Sequence, residues 1–263
     1  MHLTFYKYQG TGNDFVMIDN RTKLLSKNDT KLIGQLCDRK FGIGADGLIL
    51  LEDPEDESLD FQMVYFNADG HESSMCGNGG RCIIAFARFL GIIEDQCVFS
   101  AIDGIHEGRI AHSGTVGLKM NDVLEIDETP AAIFLDTGSP HHIIFTEGVS
   151  TLDVKKEGAL IRYSQKYAAG GGTNVNFVEV LDDSSLKIRT YERGVENETL
   201  SCGTGATAAA IAAFEAGKLS STEVNLQTEG GILKVSFEAG DTGFSNIWLE
   251  GPAIQVYKGE IEC

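Results

Sequence analysis

The chain has 263 residues, room for one large domain or two small ones, and carries 21 Lys and Arg against 39 Asp and Glu, a formal net charge of −18. That acid excess repels phosphate backbones and anionic membrane surfaces, which argues against nucleic-acid and lipid partners. With 42% hydrophobic and 23% charged residues the composition is that of a folded globular protein. The absence of a long apolar run and of a secretory pattern in MHLTFYKYQG predicts a soluble cytoplasmic one.

From the N-terminus, Gly10-Thr11-Gly12-Asn13-Asp14-Phe15 sets Asn13 at the start of a strand. Ser26 to Arg39 reads as a helix running into the glycine turn Gly42-Ile43-Gly44-Ala45-Asp46. Phe61 to Phe66, rich in aromatic and β-branched residues, reads as a strand that ends at Asn67. Ile83 to Leu90 is apolar on nearly every side apart from Arg88, the pattern of a helix inside a domain, and Gly91 is the residue expected just past its end. Polar and acidic residues at Asn121 to Thr129 mark a domain boundary.

Beyond that boundary, His141 lies in the loop Gly138-Ser139-Pro140-His141-His142, where it is either a satisfied loop histidine or a partner for a carboxylate or thiol. Leu152 to Lys166 reads as a second helix before Gly170-Gly171-Gly172, and Asn174 begins a strand. Leu186 to Tyr191 reads as another strand. Glu192-Arg193 follows it, as a surface ion pair or as a clamp on a polar group of a ligand. Ala206 to Phe214 is apolar all round and is followed by Gly217; Val224 to Phe237 and Ile247 to Val256 read as strands.

These elements repeat. Glu72-Ser73-Ser74-Met75-Cys76-Gly77-Asn78-Gly79 and Glu198-Thr199-Leu200-Ser201-Cys202-Gly203-Thr204-Gly205 share the pattern E-[ST]-x-x-C-G-[NT]-G at a spacing of 126 residues, close to half the chain. At the same spacing Tyr65 meets Tyr191 and Gly91 meets Gly217, and at a spacing of 128 Gly42 to Asp46 meets Gly170 to Asn174. The pattern predicts an α/β (α+β) protein of two similar domains, each a mostly antiparallel sheet wrapped around a central helix.

The six cysteines show no CxxC spacing and no clustered histidine, so neither a metal site nor a disulfide framework is expected. Cys76 and Cys202 each precede a buried helix, where unpaired amides and the positive end of the dipole favour a thiolate and can also receive a substrate carboxylate. A structural turn copied by duplication accounts for the glycines but poorly for two matched cysteines. If the domains pack about a pseudo-twofold axis, the two thiols face one cleft, and a thiol and a thiolate on opposite faces of a carbon suit inversion of a stereocentre. Two helix starts stabilise the carbanion without a cofactor, and no lysine lies near either motif to hold pyridoxal phosphate.

At these residues the sequence resembles the diaminopimelate epimerase family, PLP-independent enzymes that interconvert LL- and meso-diaminopimelate on the route to lysine and peptidoglycan. The resemblance runs through GTGNDF, FGIGADG, FNADGHESSMCGNGGRC, GSPHH, TNVNF and ERGVENETLSCGTGA, nearly the whole chain. It implies a first domain of residues 1–121 completed by a returning strand at 252–263, and a second domain of 122–251. It also implies Cys76 and Cys202 as the acid/base pair, with Asn13, Asn67, Asn174, Glu192 and Arg193 around the substrate. Gly77-Asn78 and Gly203-Thr204 then offer amides to the reacting carboxylate, His141 and Asp46 support the site, no cofactor is required, and a homodimer is allowed. Two departures stand out. Ser139 occupies a position where many members have Asn, so its hydrogen bond is expected to be shorter or water-mediated, and the stretch from Arg193 to Cys202 is one residue longer than in many relatives. Two rivals remain open: a proline-racemase-like enzyme acting on a smaller substrate that needs no distal clamp, and a non-catalytic amino-acid-binding relative, against which both cysteines are retained.

Overall fold

A computed structural model describes residues 2–73, 75–168 and 170–263; Ser74 of the first cysteine motif lies outside them. The chain divides into two compact units, one formed by residues up to Leu118 together with Gly251–Cys263, the other by Lys119–Glu250. Among the described residues no helix is long and apolar enough to cross a membrane.

The first unit contains β1 (His2–Gly10), β2 (Asn13–Asp19), α1 (Thr30–Cys37), β3 (Gly47–Glu52), β4 (Phe61–Asn67), α2 (Gly77–Phe89), β5 (Gln96–Ala101), β6 (Gly104–Ile110) and β7 (Val116–Lys119). Neighbouring strands pair antiparallel except β2 with β3 and β4 with β5, whose parallel pairings need the crossovers that α1 and α2 supply. In the second unit the order is β8 (Ile126–Thr129), β9 (Ala132–Asp136), β10 (Pro140–Phe145), α3 (Val154–Arg162), α4 (Gln165–Ala168), β11 (Asn174–Asp182), β12 (Ser185–Glu192), β13 (Asn197–Thr199), α5 (Gly203–Glu215), β14 (Glu223–Thr228), β15 (Gly231–Gly240) and β16 (Gly243–Gly251). The pairing rule recurs: β10 with β11 and β12 with β14 are parallel, across α3 and α5, and the other pairs are antiparallel. The sequence repeat is therefore also a repeat of topology. The final strand, β17 (Ile254–Glu262), runs antiparallel to β1 from His2↔Glu262 to Gln9↔Ile254 and belongs to the first unit.

In each unit the strands surround one helix, α2 in the first and α5 in the second. Helix α2 touches β1, β2, β3, β4 and β6, and α5 touches β9, β10, β11, β12, β14 and β15. Burial follows: α2 is buried from Gly77 to Ala87 apart from Ala85, and α5 from Gly203 to Ala213 apart from Thr204. The Ala-rich α5 lets strands approach its axis, whereas α2 fills its surroundings with Ile83, Ile84 and Phe86, the last packed against Tyr6 and Tyr8.

Four expected elements differ in extent. The helix read over Ser26 to Arg39 is only α1, because Asp29 caps its start by accepting the Leu32 amide at 3.1 Å and Asp38 turns to extended backbone. The helix read over Leu152 to Lys166 is capped by Asp153 and breaks after Arg162 into α3 and α4. The strand read over Val224 to Phe237 is a hairpin, turning at Glu229-Gly230 between paired Thr228 and Gly231, where the polar and glycine run Gln227 to Gly231 interrupts the apolar pattern. The strand read over Ile247 to Val256 is split between β16 and β17 at Pro252, which has no amide for a ladder.

Helix α3 lies so close to β12 that a Cβ at Gly158 falls 2.3 Å from Tyr191 Cβ. Alanine at an unstrained helix position gains about 1 kcal/mol over glycine, but overpacking costs about 1–3 kcal/mol, and here the clashing atom is fixed to a strand backbone. Gly158→Ala is therefore expected to lower the urea midpoint of unfolding with an unchanged slope; a raised midpoint would mean that α3 moves aside freely.

Candidate active site

Cys76 is the N-cap of α2 and Cys202 the N-cap of α5, both on extended backbone, and neither side chain caps its helix. Helix starts leave amide donors unpaired along the axis, which gives each sulfur and its neighbouring Gly77-Asn78 or Gly203-Thr204 amides an anion-favouring setting. Cys202 is buried and Cys76 partly so. Gly205 has a steric reason to be glycine: its Cβ would lie 2.5 Å from Asn176 Oδ1 and 3.3 Å from Cys202 Sγ, so the bare backbone lets Asn176 sit against the helix start.

Around Cys76 the contacts run inward from charge to amide to sulfur. Arg39 grips Asp14 through two bonds of 3.0 and 2.6 Å and reaches Asp46 at 2.7 Å, while Lys7 pairs with Asp14 at 2.8 Å and also donates to the Gly44 carbonyl. Burial alone would raise the Asp14 carboxyl, but the Arg39 and Lys7 bonds outweigh it and hold the group well below the usual carboxylate range. Asp46 Oδ2 then accepts Asn13 Nδ2 at 2.6 Å, which orients the Asn13 amide and turns its Oδ1 towards the Cys76 thiol at 3.6 Å and Asn78 Nδ2 at 3.5 Å. Asn78 is held from behind by Arg81, whose fully buried guanidinium donates to Asn78 Oδ1 at 2.9 Å, Thr11 Oγ1 at 3.2 Å and the Gly77 carbonyl at 3.2 Å.

Around Cys202 a different set converges. The Asn176 amide is oriented by Thr190, whose hydroxyl donates to its Oδ1 at 2.9 Å, so its Nδ2 donates to His141 Nδ1 at 3.0 Å. The ring proton of His141 is thereby on Nε2, facing Ser139 Oγ at 3.0 Å; Asn174 Nδ2 donates to the same oxygen at 3.2 Å. Ser139, accepting both, directs its own proton to Thr204 Oγ1 at 3.2 Å, and the Thr204 hydroxyl faces Cys202 Sγ at 3.4 Å. His141 is fully buried, and burial, then the charge of Arg193, pushes its pKa down to about 3.

Asn174 also accepts the Arg193 amide through Oδ1 at 2.8 Å, so it joins the Glu192-Arg193 turn at the end of β12 to the Ser139 cluster. Of the residues singled out from sequence, the first unit brings Asn13, Asp46, Asn78 and Cys76 together, and the second brings His141, Asn174, Thr204 and Cys202 together. Asn67 ends β4 with an exposed side chain and joins neither network by a hydrogen bond among the described residues. Arg39, Asp14, Arg81, Asn176 and Thr190 were not anticipated. One signal was present: Thr11-Gly12-Asn13 recurs 126 residues on as Thr137-Gly138-Ser139, so Ser139 is the repeat partner of Asn13, as Asn174 is of Asp46 at the 128-residue spacing.

Comparison with known proteins shows which family and fold the chain shares. The family model described as Diaminopimelate epimerase matches residues 5–123 and 133–256. A protein of Flavobacterium psychrophilum named diaminopimelate epimerase is 53% identical over 259 residues, covering 98% of this chain and 100% of that protein. One of the same name from Chlorobaculum tepidum is 43% identical over 96% of this chain and 98% of its own length. Among solved structures, a phenazine biosynthesis protein of the PhzF family from Bacillus anthracis superposes with a TM-score of 0.79 at 13% identity, over 100% of both chains. A hydroxyproline epimerase from Agrobacterium vitis superposes with a TM-score of 0.69 at 14% identity, over 99% of this chain and 92% of its own. At such identities these two share the fold.

Two measurements check the electrostatics. The His141 ring is expected to stay neutral from pH 5 to pH 8, so its imidazole NMR signals should not titrate there; a midpoint near about 6.5 would refute the buried network. Because the Asp14 carboxyl is held below its unfolded value, its contribution to stability is fully present above about pH 4 and is lost as the pH falls towards the folded value. Asp14→Asn should therefore unfold at lower urea than the parent at pH 7, with the gap narrowing below pH 4; a gap that widens in acid would reverse the assignment.

Proposed function

The chain belongs to the diaminopimelate epimerase family, and from that membership we propose that it interconverts LL- and meso-diaminopimelate by a two-thiol acid/base reaction carried by Cys76 and Cys202. The observation that carries the assignment of these residues is the matched pair of cysteines, each the N-cap of a buried helix and each held in its own side-chain network. Inversion requires a base on one face of the α-carbon and an acid on the other. Cys76 faces the carbonyl oxygen of an oriented Asn13, an acceptor suited to a thiol, whereas Cys202 faces a hydroxyl donor suited to a sulfur anion.

In this reading the Cys202 thiolate removes the α-proton of the LL epimer and becomes a thiol, leaving a carbanion whose charge spreads onto the adjacent carboxylate. The amides of Gly77-Asn78 and Gly203-Thr204 donate to that carboxylate at the point where charge develops. Cys76 returns a proton to the opposite face and becomes the thiolate, so atoms and charge balance, and the reverse reaction exchanges the two roles. Asp46 acts through Asn13, and His141 through Ser139 and Thr204. Asn13, Asn67, Asn78 and Asn174 supply hydrogen bonds to the substrate, and Glu192 with Arg193 engages its distal amino-acid head, the guanidinium taking a carboxylate. A cytoplasmic setting fits this chemistry, since it keeps thiols reduced.

Cys76→Ala and Cys202→Ala are each expected to lower turnover by at least about 10²-fold, with melting temperatures close to the parent's. In deuterated water the parent should convert LL-diaminopimelate to meso product bearing deuterium at one α-carbon. Retention of more than a few per cent of turnover in either variant would overturn the two-thiol assignment.

A further inference from the structure

The turn between β12 and β13 follows Glu192, the last residue of β12, and carries Arg193. Glu196 sits in it with φ of 55°, a left-handed conformation that L side chains rarely adopt. Its carboxylate accounts for the placement. Oε1 accepts Arg162 Nη2 and the Gly194 amide, each at 3.1 Å, and Oε2 accepts the hydroxyls of Tyr163 at 2.9 Å and Tyr191 at 3.1 Å. The donors come from the end of α3, from β12 and from the turn itself.

Arg162 is pinned in its turn, since a Cβ at Gly172 would lie 1.5 Å from its Nη1 and the guanidinium therefore fits only against bare backbone. The Glu196 amide closes the turn by donating to the Glu192 carbonyl at 2.8 Å, while the Arg193 amide is tied to Asn174. Burial alone would raise the Glu196 carboxyl, but the Gly194 amide, the two hydroxyls and Arg162 keep it below its ordinary range, as an anion with every bond directed at the turn or its supports.

We propose that Glu196 is a positioning residue for substrate specificity: its carboxylate gathers Tyr163, Tyr191, Arg162 and Gly194 and so locks residues 193–197 in the shape that aims Glu192 and Arg193 at the distal head of the substrate. This rests on the reading of Arg193 as the distal clamp. Glu196 touches neither thiol, so its effect falls on binding of the distal head and leaves proton transfer alone.

The test compares Glu196→Gly, Tyr163→Phe and Arg193→Ala with the parent. Glycine adopts the positive φ freely, so Glu196→Gly removes the carboxylate without adding strain. Its expected result is a rise in KM for LL-diaminopimelate of about tenfold with kcat within about threefold of the parent, and faster hydrogen exchange at the Gly194 amide. Tyr163→Phe, which removes one exposed hydroxyl and keeps the proposal testable if Glu196→Gly does not fold, should raise KM about twofold to threefold in the same direction. Arg193→Ala should raise KM by more than either. If Arg193→Ala raises KM while both other variants leave it unchanged, Glu196 does not position the clamp, although the clamp reading stands. If Arg193→Ala leaves KM unchanged, the clamp reading fails and the proposal falls with it. A fall in kcat at constant KM in Glu196→Gly would equally overturn it, by placing the effect on the chemistry.

Discussion

A helix enclosed by a sheet still leaves the amides of its first turn unpaired along its axis, to be met by side chains, water or a ligand at its start. Both α2 and α5 begin in this way without a side-chain cap from the residue at the N-cap, and in both that residue is cysteine. Much else follows from the arrangement. First-turn glycines let neighbouring side chains close on the backbone, as Asn176 does at Gly205, and the asparagines, Ser139 and Thr204 present oriented dipoles to a sulfur whose charge state they bias.

The two helix starts share a scaffold but not an electrostatic character. Arg81 of α2 and Thr207 of α5 stand at the same repeat position, and each bonds the carbonyl of the first helical residue, Gly77 at 3.2 Å and Gly203 at 3.1 Å. One brings a buried guanidinium, the other a neutral hydroxyl. Burial lowers the pKa of Arg81, yet guanidinium remains protonated at any accessible pH, and its hydrogen-bond acceptors here are neutral oxygens. The two seats therefore differ at matched repeat positions, Asn13 against Ser139 and Asp46 against Asn174, and the Cys76 sulfur faces an amide oxygen where the Cys202 sulfur faces a hydroxyl.

Local pattern was enough for the elements whose signal is local. The two apolar helices, the strand ends at Asn13, Asn67 and Asn174, and the paired cysteine motifs are legible because each depends on a few adjacent residues. The hairpin turn at Glu229-Gly230 also carries a local signal, the polar and glycine run Gln227 to Gly231, and the reading of one continuous strand passes over it. The site was legible to the same depth. Side chains that touch a cysteine or its helix start lie in the motifs, whereas Arg39, Thr190 and Arg162 act through a second residue, and only tertiary structure brings them to it.

The pairing of β17 with β1 joins the last strand of the chain to the first, around an unbroken second unit. Until Ile254–Glu262 has been made and has left the ribosome, β1 presents an open row of backbone donors and acceptors on the side that β17 will cover. Such an edge is a template for pairing with the wrong chain. The closing step spans nearly the full sequence, a type of contact that forms slowly. The first unit, though most of it is translated early, cannot complete its sheet until the end of synthesis, and in that interval β1 is exposed to pairing with the wrong chain.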